Sequence, residues 1–343
     1  MLDARKREVL RAIVQDYVMT AEPVGSRTVA RRYGLGVSPA TIRNEMADLE
    51  EMGYLEQPHT SAGRIPSTKG YRFYVDELMD LEPPSLPDID RIRRLFADHI
   101  REVDAVLRQA ARILSEVTDG LALIQGPTLS QAVFRALRMI LLRPERALLV
   151  LVTDEGLVDH RLVEVPPGTT SEDLERIAAV LTDRLAGLPL ERVSRRAIGH
   201  LQRELAGYRA LLDATLEGLL SPALDGDQRV MLGGTANLFR QPEFREIERA
   251  HAVIRLLGER QLVRDLLNGL EPRSGDVQVT IGQENPLAHM QEFSVVSAAY
   301  LLDGREIGRL AVVGPTRMNY PRVVSMVELV TQTLSDVLTR MLG

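Results

Sequence analysis

The chain predicts an α+β fold: an N-terminal winged helix-turn-helix, then a domain whose antiparallel sheet is interrupted by a mostly helical segment. Three observations carry this. Three helix-like runs, the second and third with capping serines, precede a short strand-like stretch and a loop within the first 80 residues. The proline-rich stretch "EPPSLPDID" at 82–90 then breaks the chain. Two apolar hairpin patterns, at 147–165 and 294–314, follow far apart with helical stretches around them.

The first helix is expected over 4–18, where Val9, Leu10, Ile13 and Tyr17 recur at three- and four-residue steps. Ser26 is placed to cap a short second helix, "RTVARRY", that Gly34 closes. Ser38 caps the third, with Pro39 at the first helical position, where its missing N–H costs nothing. That helix runs to about Met52 and stops at Gly53. "YLEQ" has strand character, "PHTSAGRIP" reads as a loop, and "TKGYRFYVDELM" returns to helix. The order is that of a helix-turn-helix followed by a wing.

Beyond the break, an apolar stripe from Ile89 through Ile100 to Val117 predicts one long helix, packed on its own domain or on a partner subunit. The first hairpin turns at Asp154-Glu155-Gly156 and the second at Asp303-Gly304. Helices are expected at 171–186 and 321–341, and 191–270 reads as a mostly helical insertion containing the small-residue stretch "VMLGGTANLF". The expected division is 1–86, 87–190, 191–270 and 271–343.

The 343 residues are 45% hydrophobic and 26% charged, as in an ordinary globular protein of two or three domains. There is no cysteine, which excludes disulfides and thiolate metal sites and fits a reducing, cytoplasmic setting. No apolar run reaches the roughly 18 residues of a membrane span, and the start "MLDARKREVL" lacks a signal-peptide core. Forty of the 42 basic residues are Arg, the only lysines being Lys6 and Lys69. We read that as genomic base composition, not as a sign of nucleic-acid binding.

Charge distribution is more informative than the net −6. Pro23–Asn44 holds Arg27, Arg31, Arg32 and Arg43 with no acid, and Gln57–Val75 holds Arg64, Lys69 and Arg72 with none. Between them, Glu45–Glu56 holds five acids and no base. In the third helix Ile42, Met46 and Leu49 share one face, so Ala40, Asn44 and Ala47 point the other way, with Arg43 and Thr41 on the flanks. Small side chains let a helix approach base edges. Asn pairs bidentately with adenine and Arg with guanine or phosphate. The helix N-terminus at Ser38 favours a phosphate. The expected DNA contacts are Arg27, Ser38, Ala40, Thr41, Arg43 and Asn44, with Arg64, Lys69 and Arg72 on phosphates or in the minor groove.

Enzyme signatures are weak. "GLGVSP" lacks the third glycine of a nucleotide fingerprint and follows no strand, and "GGTANLF" lacks a phosphate-loop Lys. Glu248 and His251 have the spacing of a di-iron helix without a second such pair. No catalytic residue, metal or cofactor is expected.

Residues 23–79, above all "SPATIRNEMADLE" and "HTSAGRIPSTKGYRFYVD", closely resemble the winged-helix domain of the heat-inducible transcription repressor HrcA family. The resemblance extends to "GPTRMNYPRVVSMVELV" near the C-terminus. It implies a winged helix at 1–86, a GAF-like domain in two parts at 87–190 and 271–343, and an inserted dimerisation segment at 191–270. It further implies a homodimer that represses chaperone operons at an inverted-repeat operator of the CIRCE type, double-stranded DNA, and is kept active by the GroEL-type chaperonin. The alternative from another class is a metabolite-responsive regulator with a ligand in its GAF-like domain, since a fold does not establish a function.

Overall fold

The computed structural model describes residues 2–59, 62–97, 102–127, 132–154, 156, 158–193, 205–220, 230–245, 247–269, 276–285 and 287–342. Its contacts divide the chain into two units. The first is Met1–Gln125 with Val230–Tyr300 and Arg309–Ser335; the second is Gly126–Arg229 with Leu301–Gly308 and Asp336–Gly343.

The first unit opens with α1 (Ala4–Thr20), α2 (Ser26–Arg32) and α3 (Pro39–Glu51). Asp3 caps α1 by accepting from the Lys6 N–H at 2.9 Å, and Ser38 caps α3 by accepting from the Thr41 N–H at 3.1 Å. The turn between α2 and α3 needs two left-handed residues, Gly34 at φ 58° and Gly36 at φ 68°. Val9, Leu10, Ile13, Val29, Ile42, Leu49 and Leu55 are fully or almost fully buried and form the core of this bundle. β1 (Leu55–Glu56) pairs antiparallel with β2 (Ile65–Pro66), and Val24 bridges Arg64 with backbone bonds in both directions. This is the expected wing, whose residues 60–61 lie outside the described ones.

The helix after the wing, α4 (Thr68–Phe73), passes into one π-helical turn, Tyr74–Leu78. Ser67 caps it and donates to Gly53 O at 2.6 Å. A Cβ added at Gly70 would lie 2.1 Å from Tyr54 O. Backbone cannot yield that far, so Gly70→Ala should destabilise the chain by about 1–3 kcal/mol, as overpacking does elsewhere. A urea titration checks it; an unchanged midpoint would show that α4 moves freely off Tyr54.

The expected long helix is two: α5 (Leu86–Ala97) and α6 (Val103–Thr118). Residues 98–101, including Ile100, lie outside the described ones. Glu102 sits in extended backbone as the N-cap of α6, so the helix starts afresh there. Its stripe is not free for a partner. Ile92, Val106, Leu107, Ala110, Leu114 and Val117 are buried, with α6 packed on α5 and on two strands of the sheet.

That sheet has five strands in the order β7-β3-β10-β9-β8: β3 (Leu121–Gln125), β7 (Val230–Gly233), β8 (Gln278–Ile281), β9 (Phe293–Leu302) and β10 (Arg305–Pro315). Asp303 (φ 49°) and Gly304 (φ 78°) both turn left-handed, as a two-residue hairpin requires. Leu121, Leu123, Val253, Leu256, Leu266, Phe293, Val295 and Val313 form one core, with Phe244 stacked on Phe293.

The second unit holds a three-stranded meander, β4 (Phe134–Arg143), β5 (Arg146–Thr153) and β6 (Val158–Glu164), with α7 (Ser171–Leu185) and a helix at Arg209–Leu220. Thr170 and Asp173 close a capping box on α7, and the hydrogen bonds from Thr170 hold the Asp173 carboxyl below its usual range. Phe134, Leu137, Leu149, Leu151, Leu174, Ile177, Leu181 and Leu212 fill its core.

The interruption of the five-stranded sheet is therefore placed differently from the expectation. The chain leaves at Gln125 and returns as β7, whose Gly233 and Leu232 pair with Ala122 and Leu123 of β3. The inserted unit is 126–229, not 191–270. The physical reason lies in "VMLGG": a Cβ at Gly233 would lie 2.2 Å from Ala111 O, so small residues let a four-residue strand slip under α6. The helix Arg260–Gly269 buries Val263, Leu266 and Leu267 in the core of the first unit, not in the insertion.

Candidate nucleic-acid interface

Burial along α3 alternates as a helix packed on one side must. Ile42, Met46 and Leu49 are buried, while Ala40, Arg43, Asn44, Ala47 and Asp48 are exposed. Among the described residues, none pairs with Arg27, Arg43 or Asn44. Arg27 stands exposed at the start of α2 and Ala40 at the first turn of α3. Thr41 is half-buried, and its hydroxyl lies 3.0 Å from the exposed Ser38 hydroxyl. The Ser38 oxygen is engaged as the cap, which orients the N-terminal turn. This surface combines unpaired donors, a methyl and a helix N-terminus, which is what reading base edges between two phosphates demands.

The wing cations stand differently. Arg64 is half-buried and its Nη2 meets Glu50 Oε2 of α3 at 2.7 Å. Lys69 Nζ donates to Met52 O, the C-cap of α3, at 2.8 Å and sits 4.4 Å over the Tyr54 ring. Both therefore hold α3 as well as carrying charge. Arg72 is bound on every side: Nε donates to Glu284 Oε1 at 2.8 Å, Nη2 to Glu284 and to Val279 O at 2.6 Å, and Nη1 to Asp76 at 3.1 Å. Hydrogen bonding to Glu284 raises its pKa further. Where the sequence suggested a phosphate contact, Arg72 is held as a clamp between Glu284, Val279 O and Asp76, and a guanidinium so paired offers little free edge.

Beside Arg72, the ring of Tyr71 is buried 5.9 Å from that of Tyr320, and Tyr320 Oη lies 2.7 Å from Ser294 Oγ. Burial lifts both tyrosines well above their ordinary pKa. Arg317 donates to Val18 O at 3.1 Å, to Gln241 at 3.0 Å and to both oxygens of Glu243. These groups tie the winged helix to the strands and C-terminal helix of the same unit. Residues that sequence reasoning left out are Arg31, exposed on α2, and Lys6, whose partners on α3 lie about forty positions on.

Among the described residues no group of three or more His, Asp or Glu is placed to hold a metal ion. No helix among them is long and apolar enough to cross a membrane.

Residues 104–324 match the family described as the HrcA protein C-terminal domain. The chain is 48% identical to the heat-inducible transcription repressor HrcA of Symbiobacterium thermophilum over 98% of both proteins. It is 44% identical to that of Pelotomaculum thermopropionicum, over 99% of this chain and 97% of the other. The crystal structure of a hypothetical protein superposes with a TM-score of 0.65 at 24% identity, covering 99% of this chain and 100% of that one, which supports the fold alone. The chain thus belongs to the HrcA family of heat-inducible transcription repressors, non-enzymatic regulators that keep heat-shock genes silent.

Proposed function

We propose that the chain represses as a homodimer that binds an inverted-repeat operator of the CIRCE type in double-stranded DNA, with one α3 in each of two major grooves. The exposed, unpaired Arg43 and Asn44 opposite the buried Ile42–Met46–Leu49 face carry this reading. Ala40, Arg43 and Asn44 face base edges. Ser38, Thr41 and Arg27 lie toward the phosphates on either side, with Arg64 and Lys69 supporting the wing. Two symmetric modules are needed because a single one covers only about 600–1,000 Å² of surface.

The surface offered to a second copy is the outer face of β4-β5-β6. Ile140 of β4 stands opposite Leu148 of β5, itself opposite Leu162 of β6. Ile140, Leu142, Val158 and Leu162 are all more than half exposed. An apolar sheet face of this kind suits an isologous contact. Leu162→Lys should shift the full chain toward monomer in sedimentation. Lengthening the operator spacer by half a helical turn should abolish tight binding, since the two α3 helices then face opposite sides of the duplex. Indifference to the spacer would sink the dimeric reading.

The heat response follows from partner competition. A GroEL-type chaperonin in the cytoplasm returns repressor to its binding form, and unfolded protein withdraws that chaperonin in heat, so active repressor falls by mass action. The resemblance supports this step. Operator occupancy measured with chaperonin, and with chaperonin plus an unfolded competitor, tests it.

A further inference from the structure

The five acids of Glu45–Glu56 lie in and just after the helix that meets DNA, where carboxylates should repel phosphates. At two of them, Glu45 and Asp48, the structure shows how that repulsion is met. Lys6 Nζ on α1 lies 2.8 Å from Glu45 Oε2, 3.0 Å from Asp48 Oδ2 and 3.4 Å from Asp3 Oδ2. Arg5 Nη1 adds a looser contact to Glu45 at 3.7 Å. The Lys6 side chain is only 17% exposed and that of Glu45 12%, so this pairing is shielded from solvent. Asp48 is one turn beyond Asn44 and only about 40° around the helix from it.

Residue type matters at this point. An ammonium is a compact charge with three donors, able to meet carboxylates that converge from α1 and α3 at once; a guanidinium is a planar fork. This chain uses Arg for all but two of its cations, yet Lys stands here. Hydrogen bonds to Glu45, then Asp48, raise the Lys6 pKa further, so the ammonium is charged at any working pH.

We propose that Lys6 is a positioning residue for DNA recognition, neutralising Glu45 and Asp48 so that Arg43 and Asn44 meet the duplex without two uncompensated carboxylates beside them. Lys6 acts through α3 and touches no phosphate. The inference rests on α3 being the recognition helix.

The test uses the full chain and a duplex carrying a CIRCE-type inverted repeat, titrated at several salt concentrations. Lys6→Met should weaken binding about tenfold, as two unscreened charges within a Debye length of several phosphates would. The loss should shrink as salt rises, because screening weakens the repulsion from the uncovered carboxylates. Lys6→Met with Glu45→Gln and Asp48→Asn should restore affinity to within about twofold, since the repelling charges are gone. If Lys6 instead held a phosphate, Glu45→Gln and Asp48→Asn would not restore the lost contact and affinity would stay about tenfold down, which overturns the proposal. Unchanged affinity in Lys6→Met overturns it too. Should that variant fold poorly, Glu45→Gln/Asp48→Asn with Lys6 intact carries the test: binding at least as tight as the parent supports the proposal, and a tenfold loss refutes it. Asn44→Ala is measured alongside. If it leaves the preference for the inverted repeat over scrambled DNA untouched, the reading of α3 itself fails, and this inference with it.

Discussion

Asn44→Ala lowers the ratio of operator to scrambled-DNA affinity by about 1–3 kcal/mol, the discrimination a bidentate side-chain–base pair supplies. The fold is expected to survive intact, because Asn44 is exposed and no described residue pairs with it. Arg43→Ala should behave similarly if Arg43 reads guanine. If it holds phosphate instead, affinity falls for every sequence alike and the salt slope loses about one unit. The two residues are thus separable by one experiment, a salt series on two duplexes. Equal losses on both duplexes for Asn44→Ala would falsify the assignment of α3 as the reading helix. Arg72→Ala provides the contrast: its salt slope should stay that of the parent, because its guanidinium is held by Glu284, Val279 O and Asp76.

Arg317→Met should cost about 3–5 kcal/mol of stability, the scale on which breaking one side of a buried ion pair acts. The Arg317 and Glu243 side chains are 13% and 18% exposed, so removing the guanidinium leaves Glu243 charged with little water to solvate it. Two further acceptors lose their donor, Gln241 Oε1 and the Val18 carbonyl in the last turn of α1. The double variant Arg317→Met/Glu243→Gln should recover part of the loss, since the stranded charge is then gone. Urea unfolding of the four proteins in that cycle measures it. A loss below about 1 kcal/mol for the single variant would place this pair with ordinary surface salt bridges.

The parts of this molecule that could be read without coordinates are those decided within a few neighbouring residues. Ser38-Pro39 starts α3 because a hydroxyl cap and a missing N–H both act inside the first turn. Asp303-Gly304 makes a hairpin because its two backbone conformations belong to those two residues. Asn44 faces outward because Ile42, Met46 and Leu49 must face inward, which is a statement about periodicity alone. The extent of the insertion was not legible in this way. "VMLGG" is too short and too small to announce a strand, and only its fit against α6 and β3 makes it one.

By itself, then, the sequence determined a winged helix with a polar, small-residue face on its third helix, and motifs that resemble one repressor family. Tertiary structure alone decided which charges remain free to meet DNA. Arg72 reads from the sequence as one more exposed cation, but Glu284, 212 positions away, takes its guanidinium. Lys6 carries no local signal, yet it neutralises two acids on α3, the nearer 39 positions on. The physical reason is one of range: caps, turns and helical faces are set by bonds within about four residues. The availability of a charge instead depends on whichever opposite charge folding brings within a few ångströms, and spacing along the chain does not encode that.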